Sequence, residues 1–141
     1  MNSNKKYKIK IITDCLKSKE EVLFAYIFGS FVDKVQFHDI DVAVYLKDDF
    51  PKNDFKMFPY GYESGASTEL TQLTREKIDF VIMNDVPLTF QKKIIEHGIL
   101  LFCKNDRIRI YFENYVRKLY IDTEHLRKIR KYYLNKKIIN A

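Results

Sequence analysis

The sequence predicts a domain of the α/β (α+β) class, because four apolar, strand-like runs alternate with segments of helical periodicity. The strand-like runs cover residues 22–28, 40–46, 77–83 and 99–103. With 141 residues, 46% of them hydrophobic and 31% charged, the chain has the composition of a globular domain that can bury a core. We therefore expect a single domain over residues 1–141, with its core at about 20–103 and a helical C-terminal segment at about 106–139.

The first helix is predicted over residues 5–16, where apolar side chains recur at helical spacing. Residues 22–28 then form a near-continuous apolar run, typical of a buried strand, which stops at Gly29 and Ser30. Glycine permits a sharp turn and a close approach of a ligand to the backbone. Ser30 can cap a following helix or offer its hydroxyl and N–H to an anion. We expect a short helical turn and then a loop after this pair.

The second strand begins with two acids and alternates with a period of two. Ile40, Val42, Val44 and Leu46 point to one side, so Asp39 and Asp41 share the other side. Their Cα atoms would lie roughly 6.5–7 Å apart, which lets the carboxylates converge on one or two cations. Like charges on a partly buried strand face oppose each other's ionisation, and a divalent cation removes that conflict. The alternative is that Asp39 is a loop or cap residue and Asp41 a solvated strand residue.

A third acid interrupts the next apolar strand. A helix is predicted from about Ser67 or from an earlier residue, because Ser and Thr precede a Glu there, and the strand at residues 77–83 follows it. Asp79 lies on this otherwise apolar strand. If the strand pairs beside the one that begins at Asp39 and Asp41, three carboxylates meet on one face. The alternative is a strand-end charge that reaches solvent.

The C-terminal third reads as helix, strand and helix. Asp85 is predicted to cap a helix with Pro87 in its first turn, and Gly98 to end it. We interpret His97 as a surface residue of that helix end. Residues 99–103 are predicted to be a short buried strand, and a long helical segment follows from about residue 106, with a possible break at residues 122–123. Its tyrosines are predicted to be core and interface residues: Tyr111, Tyr115, Tyr120, Tyr132 and Tyr133.

The formal net charge of +6 is concentrated at the C-terminal end. From residue 104 onward there are eleven Lys or Arg and four Asp or Glu, so the remainder is close to neutral. A basic segment of this kind could bind nucleic acid, hold phosphates, meet an acidic partner or form a solvated helix face.

Cysteine usage and the absence of long apolar runs indicate a cytoplasmic protein. Cys15 and Cys103 lack metal-like spacing and are predicted to be reduced thiols. No apolar run approaches the roughly 18 residues of a membrane span, and the first ten residues are polar and basic, without a signal-peptide core.

The order of these motifs resembles the signature of the DNA-polymerase-β-like nucleotidyltransferase superfamily, and the whole chain is similar to its minimal (MNT) branch. The resemblance covers residues 20–103 well and the last helix loosely. It depends on a Gly-Ser turn, an Asp-x-Asp pair after eight intervening residues and a third acid on an apolar strand: Gly29, Ser30, Asp39, Asp41 and Asp79.

The resemblance implies a mixed β-sheet flanked by helices and an enzyme that transfers a nucleoside monophosphate from an NTP, with pyrophosphate leaving. Gly29 and Ser30 would contact the triphosphate. Asp39 and Asp41 would hold Mg²⁺, two ions being expected, and Asp79 would complete the metal site and help activate the attacking hydroxyl. In-line displacement at phosphorus mainly requires positioning and charge neutralisation, which such a site provides.

Two positions depart from the family pattern. Many relatives carry Arg-Gly soon after Gly-Ser, where this chain has Asp33 and Lys34; many also carry Ser before the first acid, where this chain has His38. These differences concern nucleotide affinity more than the metal ligands.

The branch also implies a biological role. Minimal nucleotidyltransferases often pair with a HEPN-domain ribonuclease as antitoxin and toxin, and silence the toxin by adding AMP from ATP to a tyrosine on it. We therefore expect a HEPN toxin and an NTP as partners, no membrane, and a possible oligomer. The alternatives are a nucleotidyltransferase for a small molecule such as an antibiotic, against which the basic last segment argues, and a non-enzymatic protein that binds its partner or RNA.

Overall fold

The computed structural model describes residues 3–139 and has a four-stranded mixed sheet at its centre. The strands are β1 Val22–Phe28, β2 Ile40–Leu46, β3 Ile78–Ile82 and β4 Ile99–Cys103. Their order in the sheet is β3-β2-β1-β4, with β2 and β3 parallel and the other neighbours antiparallel. The predicted mixed sheet is confirmed.

Helices cover both faces of the sheet. They are α1 Ser3–Lys17, α2 Ser30–Asp33, α3 Tyr62–Thr74, α4 Leu88–His97, α5 Asp106–Asp122 and α6 Glu124–Ile139. One core lies between the sheet and helices α1 and α3, and contains Ile12, Leu70 and Val42. The other lies between the sheet and helices α4 and α5, and contains Ile94, Val116 and Ala43. The predicted alternation along β2 is confirmed, since Val42 and Ala43 belong to opposite cores.

The structure sets two helix starts that the sequence left open or misplaced. Helix α3 begins at Tyr62, which is the earlier start that the sequence allowed, and the Ser67 hydroxyl lies inside the helix and donates to the Ile78 carbonyl at 2.6 Å. The predicted cap of α4 at Asp85 is wrong. Helix α4 is preceded by Pro87, and no side chain caps its first N–H groups. Asp85 instead pairs with Lys52, Oδ1 to Nζ at 3.2 Å.

The C-terminal third is more exposed than predicted. Strand β4 is an edge strand with Ile99 and Leu100 exposed, so it is not the buried strand that its apolar sequence suggested. The predicted break in the last helical segment is confirmed, because Thr123 separates α5 from α6. Four of the tyrosines there are exposed and are not core residues, so for them only the prediction of an interface role remains: Tyr111, Tyr115, Tyr132 and Tyr133. None of the described helices has the length and apolarity needed to cross a bilayer.

Candidate active site

The turn between β1 and α2 lies directly against a carboxylate. Gly29 adopts φ 78°, a conformation that side chains other than hydrogen disfavour. A Cβ at this position would lie 2.0 Å from Oδ2 of Asp41. Glycine therefore permits the sharp turn, as predicted. The group that approaches the backbone here is the Asp41 side chain, and the predicted approach of a ligand stays a prediction.

The acids of β2 and β3 meet across the parallel strand pair. The Cα atoms of Asp41 and Asp79 are direct partners in the ladder, and the two carboxyl groups are close enough to hydrogen-bond. Asp39 immediately precedes β2. Asp41 shares its side of β2 with Ala43, so the acids face the α4 and α5 side of the sheet.

The surroundings of Asp41 disfavour the ionised form of its carboxyl group. The pKa of Asp41 is raised to about 6, first by partial burial and then by the charges of Asp79 and Asp39; Lys93 opposes the increase. A neighbouring carboxylate disfavours the ionised form, whereas a divalent cation would favour it. The side chains of the described residues thus leave part of the negative charge at this point uncompensated.

The donor set fits a hard divalent cation, although the side chains of residues 3–139 do not form a closed metal cage. Among those residues, no three His, Cys, Asp or Glu side chains are arranged to hold a metal ion. Asp41 and Asp79 offer carboxylate oxygens, which Mg²⁺ prefers. The carboxylate of Asp39 lies 3.7 Å from Nζ of Lys77, and Lys77 is largely exposed. Since an exposed pair of this kind contributes about 1 kcal/mol or less, Asp39 can exchange Lys77 for a metal at little cost.

An open cleft of about 680 Å³ leads to the carboxylates. We call it the α4 cleft; it is lined by Gly29, Ser30, Asp41 and Asp79 from the sheet side. Helix α4 forms the opposite wall with three side chains at helical spacing: Phe90, Lys93 and His97.

The contribution of α4 to the lining of this cleft was not predicted from the sequence. His97 is exposed, as predicted, yet it lines the cleft together with Lys93. Their spacing of four residues places both on one helix face, and this was the available signal. Lys34 also lines the cleft, whereas His38 is exposed and outside its lining.

A buried lysine of α1 donates hydrogen bonds to the backbone at the short helix α2. Lys5 of α1 is 6% exposed, and its ammonium donates to the carbonyls of Phe31, at 2.7 Å, and Lys34. It also lies 5.1 Å and 5.4 Å from the ring centroids of Phe31 and Phe37. Because these residues connect Ser30 to Asp39, Lys5 fixes the segment that joins the two motifs of the site.

Comparison with solved structures shows where this fold occurs. The chain superimposes with a TM-score of 0.70 on a chain of a tri-AMPylated Shewanella oneidensis HEPN toxin in complex with MNT antitoxin, at 16% identity, covering 95% of this chain and 98% of that one. A toxin-antitoxin complex with AMP-PNP gives a TM-score of 0.66 at 18% identity, covering 98% and 99%. The toxin-antitoxin MntA-HepT gives 0.63 at 17% identity, covering 96% and 97%. These likenesses establish the fold.

No curated protein matches the sequence closely enough to be considered a relative. A family model, however, described as polymerase beta, nucleotidyltransferase, matches residues 10–107, which is well over half of the chain. That range contains the Gly-Ser turn and all three carboxylates of the site. The chain therefore belongs to the polymerase β nucleotidyltransferase family.

Proposed function

We propose that this chain transfers AMP from ATP, in the presence of Mg²⁺, to a tyrosine hydroxyl of a HEPN-domain toxin, and thereby acts as the antitoxin. The observation that carries the proposal is the pairing of Asp41 and Asp79 above Gly29, at the end of a cleft that also contains Lys93. In this cleft, carboxylates whose negative charge is in part uncompensated lie beside cationic side chains that can bind phosphates.

Each group has a defined task in this proposal. Asp39, Asp41 and Asp79 would hold Mg²⁺, which when bound neutralises phosphate charge and polarises the α-phosphate. The backbone and hydroxyl at Gly29 and Ser30 contact the triphosphate.

Lys34 and Lys93 can meet the remaining phosphate charge, because both line the cleft. Lys34 takes the place of the arginine that many relatives carry. Asp33 lies in the same lining and partly offsets this gain in positive charge.

The bond changes follow from the chemistry of nucleotidyl transfer. The acceptor oxygen forms a bond to the α-phosphorus while the bond to the bridging oxygen of the β-phosphate breaks, and pyrophosphate leaves. The proton of the acceptor hydroxyl passes to Asp79, the acid at the sheet edge. The protein itself forms no covalent bond, so catalysis depends on position and charge.

The choice of acceptor rests on the similar structures. One of them contains an AMPylated HEPN toxin with its MNT antitoxin, and another contains AMP-PNP, an ATP analogue, in a toxin-antitoxin complex. We extend this pairing to the present chain, together with a cytoplasmic location in the cell that makes both proteins.

A second candidate is inhibition by binding alone. It is favoured by α6, which has no buried residue, carries six Lys or Arg and presents apolar side chains such as Leu126 and Tyr133 to solvent. A helix of this character could hold a partner without any chemistry.

Intact-mass spectrometry of a HEPN-domain protein that is a candidate partner of this chain separates the two candidates. After incubation with the chain, ATP and Mg²⁺, we expect a gain of one or more AMP units, and no gain when the metal is chelated. A stable complex whose mass does not change with any of the four NTPs would contradict the transferase proposal and leave inhibition by binding.

A further inference from the structure

Asp79 is shared by two clefts. Strand β3 is the outer strand of the sheet, and beyond it lies a second cleft of about 550 Å³. We call this the edge cleft. It lies between β3, the start of α3 and the loop at residues 47–61, and Asp79 lines it as well as the α4 cleft. A group in the edge cleft can therefore reach the reaction centre from the side opposite the Gly-Ser turn.

The charge of the edge cleft is unsuited to phosphates. Its lysine, Lys52, is paired with Asp85 at 3.2 Å, which leaves Glu63 and Asp79 as the further charges of its lining. The α4 cleft contains two lysines, Lys34 and Lys93, beside three acids. The lysines of the α4 cleft can meet an anionic triphosphate, whereas the acids of the edge cleft favour a basic ligand.

Two aromatic side chains stand free at the rim of the edge cleft. Phe55 is 70% exposed and Tyr60 is 89% exposed. Exposed aromatics beside a cleft are typical anchors for a protein partner.

The loop that carries these two residues is held in place by the packing of three other aromatic rings. Phe50, Phe58 and Tyr62 pack their rings together at centroid distances of 5.2 to 5.8 Å. Phe55 and Tyr60 therefore lie on an ordered loop, which reduces the entropic cost of binding a partner.

In-line displacement connects these observations. The attacking and leaving oxygens lie on opposite sides of the transferred phosphorus. With the leaving pyrophosphate at Gly29 and Ser30, the acceptor oxygen must approach from the side of Asp79. We propose that the edge cleft is the docking site of the acceptor: a basic segment of the toxin that carries the hydroxyl to Asp79 while Phe55 and Tyr60 contact its apolar side chains. This inference rests on the proposed function.

The test separates acceptor binding from nucleotide binding. The double variant Phe55→Ser/Tyr60→Ser changes only exposed side chains, so folding should be preserved. We expect its KM for the HEPN toxin to rise about tenfold, with kcat and the KM for ATP unchanged. Tyr7→Ser, which removes a tyrosine that is 66% exposed on α1, is the matched control and should change either KM less than twofold.

A charge variant tests the second part of the inference. Glu63→Lys should raise the KM for the toxin about threefold at low ionic strength, and the difference should shrink when salt is added. Glu63→Gln should have a smaller effect in the same direction.

The remaining outcomes overturn the inference. An unchanged KM for the toxin in the double variant would place acceptor docking elsewhere, and a raised KM for ATP would make the edge cleft a nucleobase site. If wild-type chain transfers no AMP, the proposed function itself fails. The same variants are then compared in a binding titration with the toxin, where an unchanged Kd overturns the edge cleft as a docking site too.

Discussion

Two groups of acidic side chains in this molecule have opposite electrostatic surroundings. At the α4 cleft, Asp41 and Asp79 face each other and the pKa of Asp41 is raised. On α5, Glu113 is 8% exposed but accepts a hydrogen bond from Tyr26 and pairs with Arg109 at 3.2 Å and Arg117 at 3.6 Å.

The two groups differ in whether the fold itself compensates the negative charge, and this separates a structural acid from a functional one. The charge of Glu113 is compensated within the fold, and burial together with its hydrogen bond raises the pKa of Tyr26, which therefore stays a donor. The charge of Asp41 and Asp79 is left for a ligand to compensate. We therefore expect changes at Glu113 to reduce stability, and changes at Asp41 to reduce activity.

The largest expected effect is that of Asp41→Asn on transfer. Loss of a metal ligand removes several kcal/mol of transition-state stabilisation, so the rate should fall about a thousandfold or more. Without metal, the same variant should be more stable than wild type by on the order of 1 kcal/mol after allowance for solvent screening, because it removes a like charge. Rate assays and thermal unfolding in EDTA measure both. A variant that is inactive because it is unfolded would contradict the comparison.

Glu113→Ala should have the reverse effect. Removing the buried carboxylate leaves Arg109 with its longer pair to Asp106, at 3.5 Å, and takes the acceptor from the Tyr26 hydroxyl. This should reduce the free energy of unfolding by about 3 kcal/mol, which lowers Tm by about 10 °C. The rate of transfer per folded molecule, measured at low temperature, should change little.

The matched control for Glu113→Ala is Glu124→Ala. Glu124 forms an exposed pair with Lys128 at 3.4 Å, and its removal should leave Tm within about 2 °C of wild type. Equal effects of the two alanine variants would remove the structural role assigned to Glu113.

Gly29→Ala tests the contact between the turn and the carboxylate. Gly29 and Gly61 have similar positive φ values, 78° and 88°, so alanine at either should cost about 1–2 kcal/mol of backbone strain. Only at Gly29 does the new Cβ collide with Asp41, since nothing lies within 4 Å at Gly61. We expect Gly29→Ala to weaken binding of AMP-PNP with Mg²⁺ at least tenfold and Gly61→Ala to leave it nearly unchanged, by calorimetry. Equal affinities would show that Asp41 can move without consequence.

The smallest expected effect concerns the salt bridge that competes for Asp39. Lys77→Ala frees this carboxylate and should increase the affinity for Mg²⁺ about two- to threefold, in keeping with the small energy of an exposed pair. Lys47→Ala, which breaks an exposed pair with Glu20 at 3.1 Å, is the control and should have no effect. A loss of affinity in Lys77→Ala would mean that Lys77 takes part in nucleotide binding.

Much of the sheet and the order of the site motifs could be predicted from the sequence, because they depend on local periodicity. The alternation along β2 placed Asp41 opposite the apolar side chains, and the position of Asp79 on an apolar strand suggested that the acids meet. Strand β4 was predicted to be buried from its apolar residues, but whether a strand is central or at an edge depends on the whole sheet order.

The contributions of α4 and of the loop at residues 47–61 could not be predicted in the same way. Lys93 and His97 line the cleft only because α4 packs across the end of β1, which is a long-range contact. Likewise, the exposure of Phe55 and Tyr60 follows from the packing of neighbouring aromatics rather than from their own type. Periodicity specifies which face of an element is apolar, but not which element lies next to it.

The different roles of Asp41 in binding and Glu113 in stability are tested most directly by the Mg²⁺-dependent shift in Tm that AMP-PNP produces in three chains: wild type, Asp41→Asn and Glu113→Ala. In wild type we expect a large shift that requires Mg²⁺. In Glu113→Ala we expect a shift of the same size from a lower starting Tm, and in Asp41→Asn no Mg²⁺-dependent shift. A full Mg²⁺-dependent shift in Asp41→Asn would show that metal and nucleotide do not bind at the uncompensated carboxylates.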